Sequence, residues 1–383
     1  MDYKVRFVGY PRQYQQLKSE FDAVFEEIMS GGDFILRGHL EEFEKNIASY
    51  VGTRYAIGVN SGTDALYLSA RALGFGPGDE IITVSHTFVA TVGAIVQCGA
   101  KPVLVDIADD FNIDVNRIES AITSRTKGII PVHLNGHPCR MDKIMNLAQR
   151  YNLKVIEDSA QALGAKFKGR KCGSFGNTGI FSFYPAKLLG APGDGGMVVT
   201  NDAHLARKLR AFRDNGRGDS PDVIECYGYC SRLDNLHAAI LNMKLKYFDN
   251  WIRRRREIAK MYDEGLKGVG DIIVPIHDEK DFFDVYQNYV IRSKRRNELA
   301  LHLKKSGVEV LISWPKPLHK QKALNLSHFN LPMTERISKE VISLPIYPEL
   351  TNKEVKYVID CIRLHYCSCR DCSAESTRPL HLK

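Results

Sequence analysis

From residue 54 to about 200, short apolar runs alternate with amphipathic stretches, and this alternation restricts the fold more than any other feature. Ile81-Ile82-Thr83-Val84, Pro102-Val103-Leu104-Val105, Gly128-Ile129-Ile130-Pro131-Val132 and Lys154-Val155-Ile156 read as buried strands. Helix-like segments, such as Thr63 to Leu73 and Thr87 to Cys98, separate such runs. The pattern predicts an α/β fold whose large domain holds a mostly parallel, doubly wound sheet flanked by helices. A long helical stretch from Asn235 to about Tyr262 leads out of this region. Beyond it helices are fewer and strands isolated, as at Val285 to Arg292, which predicts a smaller α+β domain. The expected division is 1–249 for the large domain, with an N-terminal arm, 250–366 for the small one, and 367–383 as a loose polar tail.

The chain has 383 residues, 44% of them hydrophobic, enough for a sizeable core. No run approaches the roughly 20 apolar residues that span a bilayer. The start, MDYKVRFVGY, places charges where a signal peptide would be apolar. A cytoplasmic protein with no membrane contact is expected. Nine cysteines, an odd number, fit reduced thiols better than a disulfide framework. Cys361, His365, Cys367, Cys369 and Cys372 could gather a metal, but their spacing is irregular for structural zinc, so free thiols and no metal are expected. The net charge of +8 and the run Arg253-Arg254-Arg255-Arg256 admit a regulatory or nucleic-acid-binding protein. A solvated helix face explains the run more simply, and neither a helix-turn-helix signature nor zinc-finger spacing accompanies it.

Three segments carry the chemistry. Val59-Asn60-Ser61-Gly62-Thr63-Asp64 ends a strand and starts a helix. Gly62 permits a tight turn, and the N–H groups of Thr63 and Asp64 would offer an anion site suited to phosphate. An ordinary capped helix start reads the same way. Val155-Ile156-Glu157-Asp158 ends a buried strand with two acids, where ligands of doubly wound sheets gather. Asp158 could pair with a protonated ring nitrogen, or merely cap Ser159-Ala160-Gln161. The third segment, Phe181-Ser182-Phe183-Tyr184-Pro185-Ala186-Lys187, precedes Gly190 and Gly193-Asp194-Gly195-Gly196. Desolvation in that setting would lower the lysine's pKa and supply the neutral amine that a Schiff base requires. Ser182 adds a hydroxyl for a phosphate oxygen. Each segment alone has an ordinary explanation. A cofactor with a phosphate, a ring nitrogen and an aldehyde would use all three.

The stretches NSGTDAL, HTFVAT, IEDSAQALGA, FSFYPAK with GDGGMVVT, RLDNLHAAIL and SLPIYPELT, spread from about Asp33 to Ile362, resemble the DegT/DnrJ/EryC1/StrS family of pyridoxal-phosphate-dependent sugar aminotransferases. The resemblance implies a fold-type-I aminotransferase that works as a homodimer with active sites at the interface. It implies Lys187 as the Schiff-base lysine and Asp158 as the partner of the pyridine nitrogen. Gln161 would lie against the cofactor, Phe88 would stack on its ring, and Gly62, Thr63 and Ser182 would hold its phosphate. The implied reaction moves an amino group from an amino acid, glutamate or glutamine, to a nucleotide-linked keto-sugar, with pyridoxamine phosphate formed in the half-reaction. A free keto-sugar acid or a cyclitol ketone is the alternative acceptor. Related dehydratases carry histidine where Lys187 stands. Three stretches depart from the family. Gly228-Tyr229-Cys230-Ser231-Arg232 has cysteine where an asparagine usually reaches the neighbouring subunit's phosphate. Ser313-Trp314-Pro315 replaces a His-Tyr-Pro stretch near the substrate, with His319 downstream, and Asn135 replaces a tyrosine. Ser313, Trp314 and His319 are therefore the expected substrate contacts.

Overall fold

The structure is a computed structural model that describes residues 3–218, 222–276 and 280–374. Five strands come first in the chain: β1 (Tyr55–Val59), β2 (Glu80–Val84), β3 (Lys101–Val105), β4 (Thr126–Ile129) and β5 (Lys154–Asp158). A small hairpin of β6 (Lys166–Phe167) and β7 (Arg170–Lys171) follows, then β8 (Thr178–Ser182) and β9 (Gly196–Thr200). The central sheet has seven strands in the order β1-β9-β8-β5-β4-β2-β3. Only β9 runs against its neighbours; the other pairings are parallel. Every residue of β2 and β9 is buried. Helices cover both faces of such strands, so they read as continuous apolar runs. The helices Gly62–Ala72 and Val89–Gln97 lie where the sequence places them.

This topology sets the position of the site. β1, β5 and β8 point the same way, so Asn60, Asp158 and Ser182 emerge at one edge of the sheet. Antiparallel β9 starts at that edge, with Gly196 opposite both Ser182 and Val59. Chemistry at the carboxyl ends of strands follows from the parallel arrangement.

The second unit is α+β. β10 (Phe282–Phe283) pairs with β6, and β11 (Tyr289–Arg292) pairs antiparallel with β12 (Val341–Leu344). The helices Phe248–Leu266, Arg296–Lys305 and Asn352–Ala374 close a second core that contains Tyr262, Tyr289, Ile342, Leu344 and Val358.

Four expectations change. The stretch from Asn235 to Tyr262 is two helices, Asn235–Leu245 and Phe248–Leu266. The break lets the second helix serve both cores, with Phe248 and Ile252 in the first and Ile258, Tyr262 and Leu266 in the second. The boundary expected at 249/250 thus falls inside a helix. Only the last half of Val285–Arg292 is a strand. The first half is held outside the ladder, where Val285 N–H donates to Gly136 and Asn288 N–H to Asn135. The arginine run is not a solvated face, since only Arg253 is exposed. Arg255 is buried and donates to the carbonyls of Tyr286 and Ile346, at 3.0 and 2.8 Å. Arg254 and Arg256 donate to the carbonyls of Leu350 and Asp284. Three of the four arginines that a nucleic-acid reading leaned on are thus tied to the protein's own backbone. Finally, the terminal helix continues through Ala374, into the expected tail, because its face up to Tyr366 packs on the second core. The side chains of Cys369 and Cys372, and all of 375–383, lie outside the described residues. Among those described, no three histidine, cysteine or acidic side chains form a metal cluster. No helix of the described residues is long and apolar enough to cross a membrane.

Candidate active site

A cavity of about 680 Å³ opens at the carboxyl edge of the sheet and is lined by Gly62, Thr63, Phe88, Asp158, Gln161, Ser182, Lys187, Ser313 and Trp314. Residues chosen from separate stretches of sequence thus meet in one place, with the exception of His319. That histidine is fully buried and does not line the cavity. Its Nδ1 lies 2.7 Å from Ser85 Oγ and its Nε2 3.3 Å from Glu335 Oε1. The order resembles a Ser-His-acid triad, but Ser85 Oγ is buried and also accepts the His319 N–H. The trio pins the Trp314-bearing segment to the end of β2.

The two acids at the end of β5 separate because successive strand residues face opposite ways. Glu157 turns inward and accepts from His133 Nε2 and from the N–H groups of Gly173, Phe175 and Gly176. It is a structural hub. Asp158 turns to the cavity, where Thr91 Oγ1 donates to its Oδ2 at 2.8 Å and Ala160 N–H to its Oδ1 at 3.2 Å. Burial pushes its carboxyl pKa up, while the Thr91 and Ala160 hydrogen bonds and the charge of Lys187 oppose this. A cationic N–H facing it would return it to the carboxylate form.

Lys187 lies on a turn held from outside. Gln287 Nε2 donates to the Ala186 carbonyl at 2.7 Å, and its Oε1 accepts from Leu188 N–H at 2.8 Å. Gln287 therefore grips the residues on either side of the lysine. Burial lowers the Lys187 pKa to about 8, with Asp158 pulling the other way. An aldehyde is attacked by the neutral amine. The rate at which cofactor-free protein captures pyridoxal phosphate should accordingly rise with pH through about 8 and level off above it. Stopped-flow absorbance would check this, and a rate that is flat from pH 6.5 to 9.5 would contradict it.

A cradle of a shape suited to phosphate stands at one end of the cavity. Ser61 Oγ caps the helix by accepting from Asp64 N–H at 3.1 Å, which leaves the Gly62–Thr63 amides at the helix start. A Cβ on Gly62 would come within 2.8 Å of Ser182 Cβ, so glycine is what allows the turn to approach Ser182. Gly62→Ala should weaken pyridoxal phosphate binding by about tenfold or more, roughly 1.4 kcal/mol. Equilibrium titration of the apo-protein would measure this, and unchanged affinity would show that the cradle yields.

At the mouth, Phe88 is 58% and Tyr184 54% exposed. Gln161 is oriented by its Oε1, which accepts from Asn135 N–H at 2.8 Å. Asn135 has φ +58, in the left-handed region that asparagine tolerates, and its side chain accepts from Asn288 Nδ2. Trp314 has φ +48, which is costly for a bulky residue, and packs edge-on to His86 at 5.6 Å. Thr91, Arg255, Gln287, Asn288 and the arm residues Phe7 and Val8 also line the cavity or fix its groups. Thr91 could have been read from its place in the HTFVAT stretch. The others arrive from distant sequence and gave no local signal.

A phosphate cradle, a buried carboxylate and an amine of lowered pKa in one cavity fit pyridoxal phosphate. A sequence profile of the DegT/DnrJ/EryC1/StrS aminotransferase family matches residues 15–363. The chain is 42% identical over 360 residues to a pleiotropic regulatory protein of Geobacillus stearothermophilus, covering 92% of this chain and 96% of that one. It is 41% identical over 364 residues to a dTDP-3-amino-3,4,6-trideoxy-alpha-D-glucose transaminase of Streptomyces venezuelae, covering 94% and 96%. The crystal structure of S. venezuelae DesV in complex with a ketimine intermediate superposes with a TM-score of 0.91 at 40% identity, covering 95% of this chain and 98% of that one. The chain belongs to the DegT/DnrJ/EryC1/StrS aminotransferase family and is a pyridoxal-phosphate-dependent aminotransferase.

Proposed function

We propose that the protein transfers an amino group from glutamate or glutamine to a keto-sugar carried on a nucleotide, and that Lys187 and Asp158 are its catalytic residues. The observation that carries this reading is the meeting of Lys187, Asp158 and the Gly62–Ser182 cradle in one cavity. The sugar class is supported by the name of the Streptomyces relative, a transaminase named for a dTDP-linked amino-sugar.

Pyridoxal phosphate, when bound, supplies an aldehyde carbon for the amine and a ring that takes up electrons from the substrate's α-carbon. The protein's own groups do the rest. Gly62, Thr63 and Ser182 bind the phosphate. Phe88 and Gln161 would hold the ring. Asp158 holds the proton on the ring nitrogen, with Thr91 fixing the carboxylate. Lys187 Nζ would take a proton from the α-carbon of the amino acid and hand it on to the cofactor's aldehyde carbon, and would run the same transfer backwards for the acceptor. Trp314 and Ser313 face the acceptor. Ping-pong kinetics follow, since donor and acceptor use one site in turn.

A homodimer is supported by apolar side chains left in water near the cavity and on the arm, including Phe25 (54% exposed), Met29 (51%), Phe34 (46%) and Phe88 (58%). Light scattering should give twice the chain mass. A cytosolic site of action suits the free thiols of Cys98, Cys139, Cys172, Cys226, Cys230, Cys361 and Cys367.

The test of the acceptor is a half-reaction screen. Protein in the pyridoxamine form is mixed with nucleotide-linked keto-sugars, free keto-sugar acids and cyclitol ketones. The visible band of the pyridoxal form should return with a nucleotide-linked keto-sugar. Return only with a free acid or a cyclitol ketone would replace the proposed acceptor.

A further inference from the structure

A second cavity, of about 730 Å³, lies between the β6–β7 hairpin and the helix Phe248–Leu266, and none of the catalytic groups lines it. Its walls are cationic. Lys166 and Lys171 are direct partners across the hairpin, a like-charge pairing that costs a sheet stability. Arg253, Arg256 and Lys260 face them from the helix at spacings that share one side. Three acids also line the space, but each already accepts from a neighbour. Asp249 takes the Tyr50 hydroxyl at 2.7 Å, Glu257 takes Arg254 at 3.1 Å and Asp263 takes the Tyr289 hydroxyl at 2.6 Å. Among the described residues, Lys166, Lys171 and Arg253 form no salt bridge with a carboxylate, and the Asp249 charge acts on Lys171 only through space. Lys171 donates to the Tyr50 carbonyl; burial lowers its pKa, the nearby Asp249 carboxylate opposes this, and the charge of Lys166 adds to the lowering.

We propose that this cavity binds a phosphate-bearing anion, with Lys166, Lys171 and Arg253 as its principal contacts. A dianionic or polyanionic group would neutralise the facing lysines and satisfy three cations at once, which a single carboxylate could not. The site stands back to back with the active site. Tyr286 and Arg256 line the second cavity, while their chain neighbours Gln287 and Arg255 line the first. Gln287 is the residue that grips the Lys187 turn.

The test uses the pyridoxal phosphate holoenzyme, so the active-site cradle is filled, and inorganic pyrophosphate as the probe. Calorimetric titration at low ionic strength should give one saturable event per chain. Lys166→Ala and Arg253→Ala should each weaken it by about tenfold, the scale of a lost charged hydrogen bond, with the cofactor absorbance unchanged. A variant-free measurement runs beside it. Pyrophosphate should protect Lys166 and Lys171 from amine acetylation, mapped by mass spectrometry. No saturable binding, or binding that both variants retain with the two lysines unprotected, overturns the proposal. Neither readout involves turnover, so the result stands apart from the identity of the sugar.

Discussion

Alanine at Lys187 is expected to remove the visible absorbance of the bound cofactor and to lower turnover by about 10⁴-fold or more, the upper range for loss of a positioned proton carrier. On the proposed roles, the variant loses the covalent link and the group that moves the α-proton, while the proposed phosphate cradle at Gly62 and Ser182 stays intact. Noncovalent cofactor binding should therefore persist at reduced affinity. A low pKa by itself does not single out this lysine. Lys244 is also buried, and burial likewise lowers its pKa to about 8. But Lys244 Nζ donates to the Gly190 carbonyl and faces the Trp251 ring at 5.8 Å, away from the cavity. Lys244→Met should cost stability and keep the visible band. Turnover surviving in Lys187→Ala, or a band lost in Lys244→Met but kept in Lys187→Ala, would move the covalent role elsewhere. Position at the edge of β8, beside Asp158, separates the two lysines.

Much of this site was legible because its parts are local. A strand that ends in an acid, a Gly-Thr helix start and a lysine in a Gly-rich aromatic loop are each visible within a few residues; each alone has an ordinary explanation, and their combination with the family resemblance gave them roles. Parallel topology then brings them to one edge, so strand-helix alternation was enough to place them together. What escaped was long-range. Gln287 and Asn288 belong to a stretch that reads as strand, yet its first half is drawn off the ladder to hold the Lys187 turn and Asn135. Arg255 reads as one of four surface cations, but three carbonyl acceptors and burial turn it inward. His319 was expected at the substrate because it lies just downstream of the stretch that replaces the family's His-Tyr-Pro. The hydrogen bond to Ser85 shows that the segment's anchor, not its functional tip, is the histidine. Partner choice among distant polar groups decided each of these cases, and periodicity carries no record of it.

Asp158→Asn should retain the cofactor and slow turnover by about 10² to 10⁴-fold, the range for removing a group matched to a transferring or developing charge. Asparagine has nearly the same shape, and its amide oxygen can still accept from Thr91 or Ala160. It brings no negative charge, so under the proposed role of Asp158 the ring-nitrogen proton would lose its partner and the ring its pull on the α-carbon's electrons. Unchanged rates would remove Asp158 from the chemistry. Thr91→Val provides a graded companion. The Thr91 hydroxyl favours the ionised carboxylate, and without it burial acts with less opposition, so the Asp158 pKa rises. The acid limb of kcat/KM should then move to higher pH while the alkaline limb stays. A merely structural threonine would lower stability and leave the limb where it was. A shifted limb with normal cofactor binding would identify Thr91 as the residue that keeps Asp158 ionised.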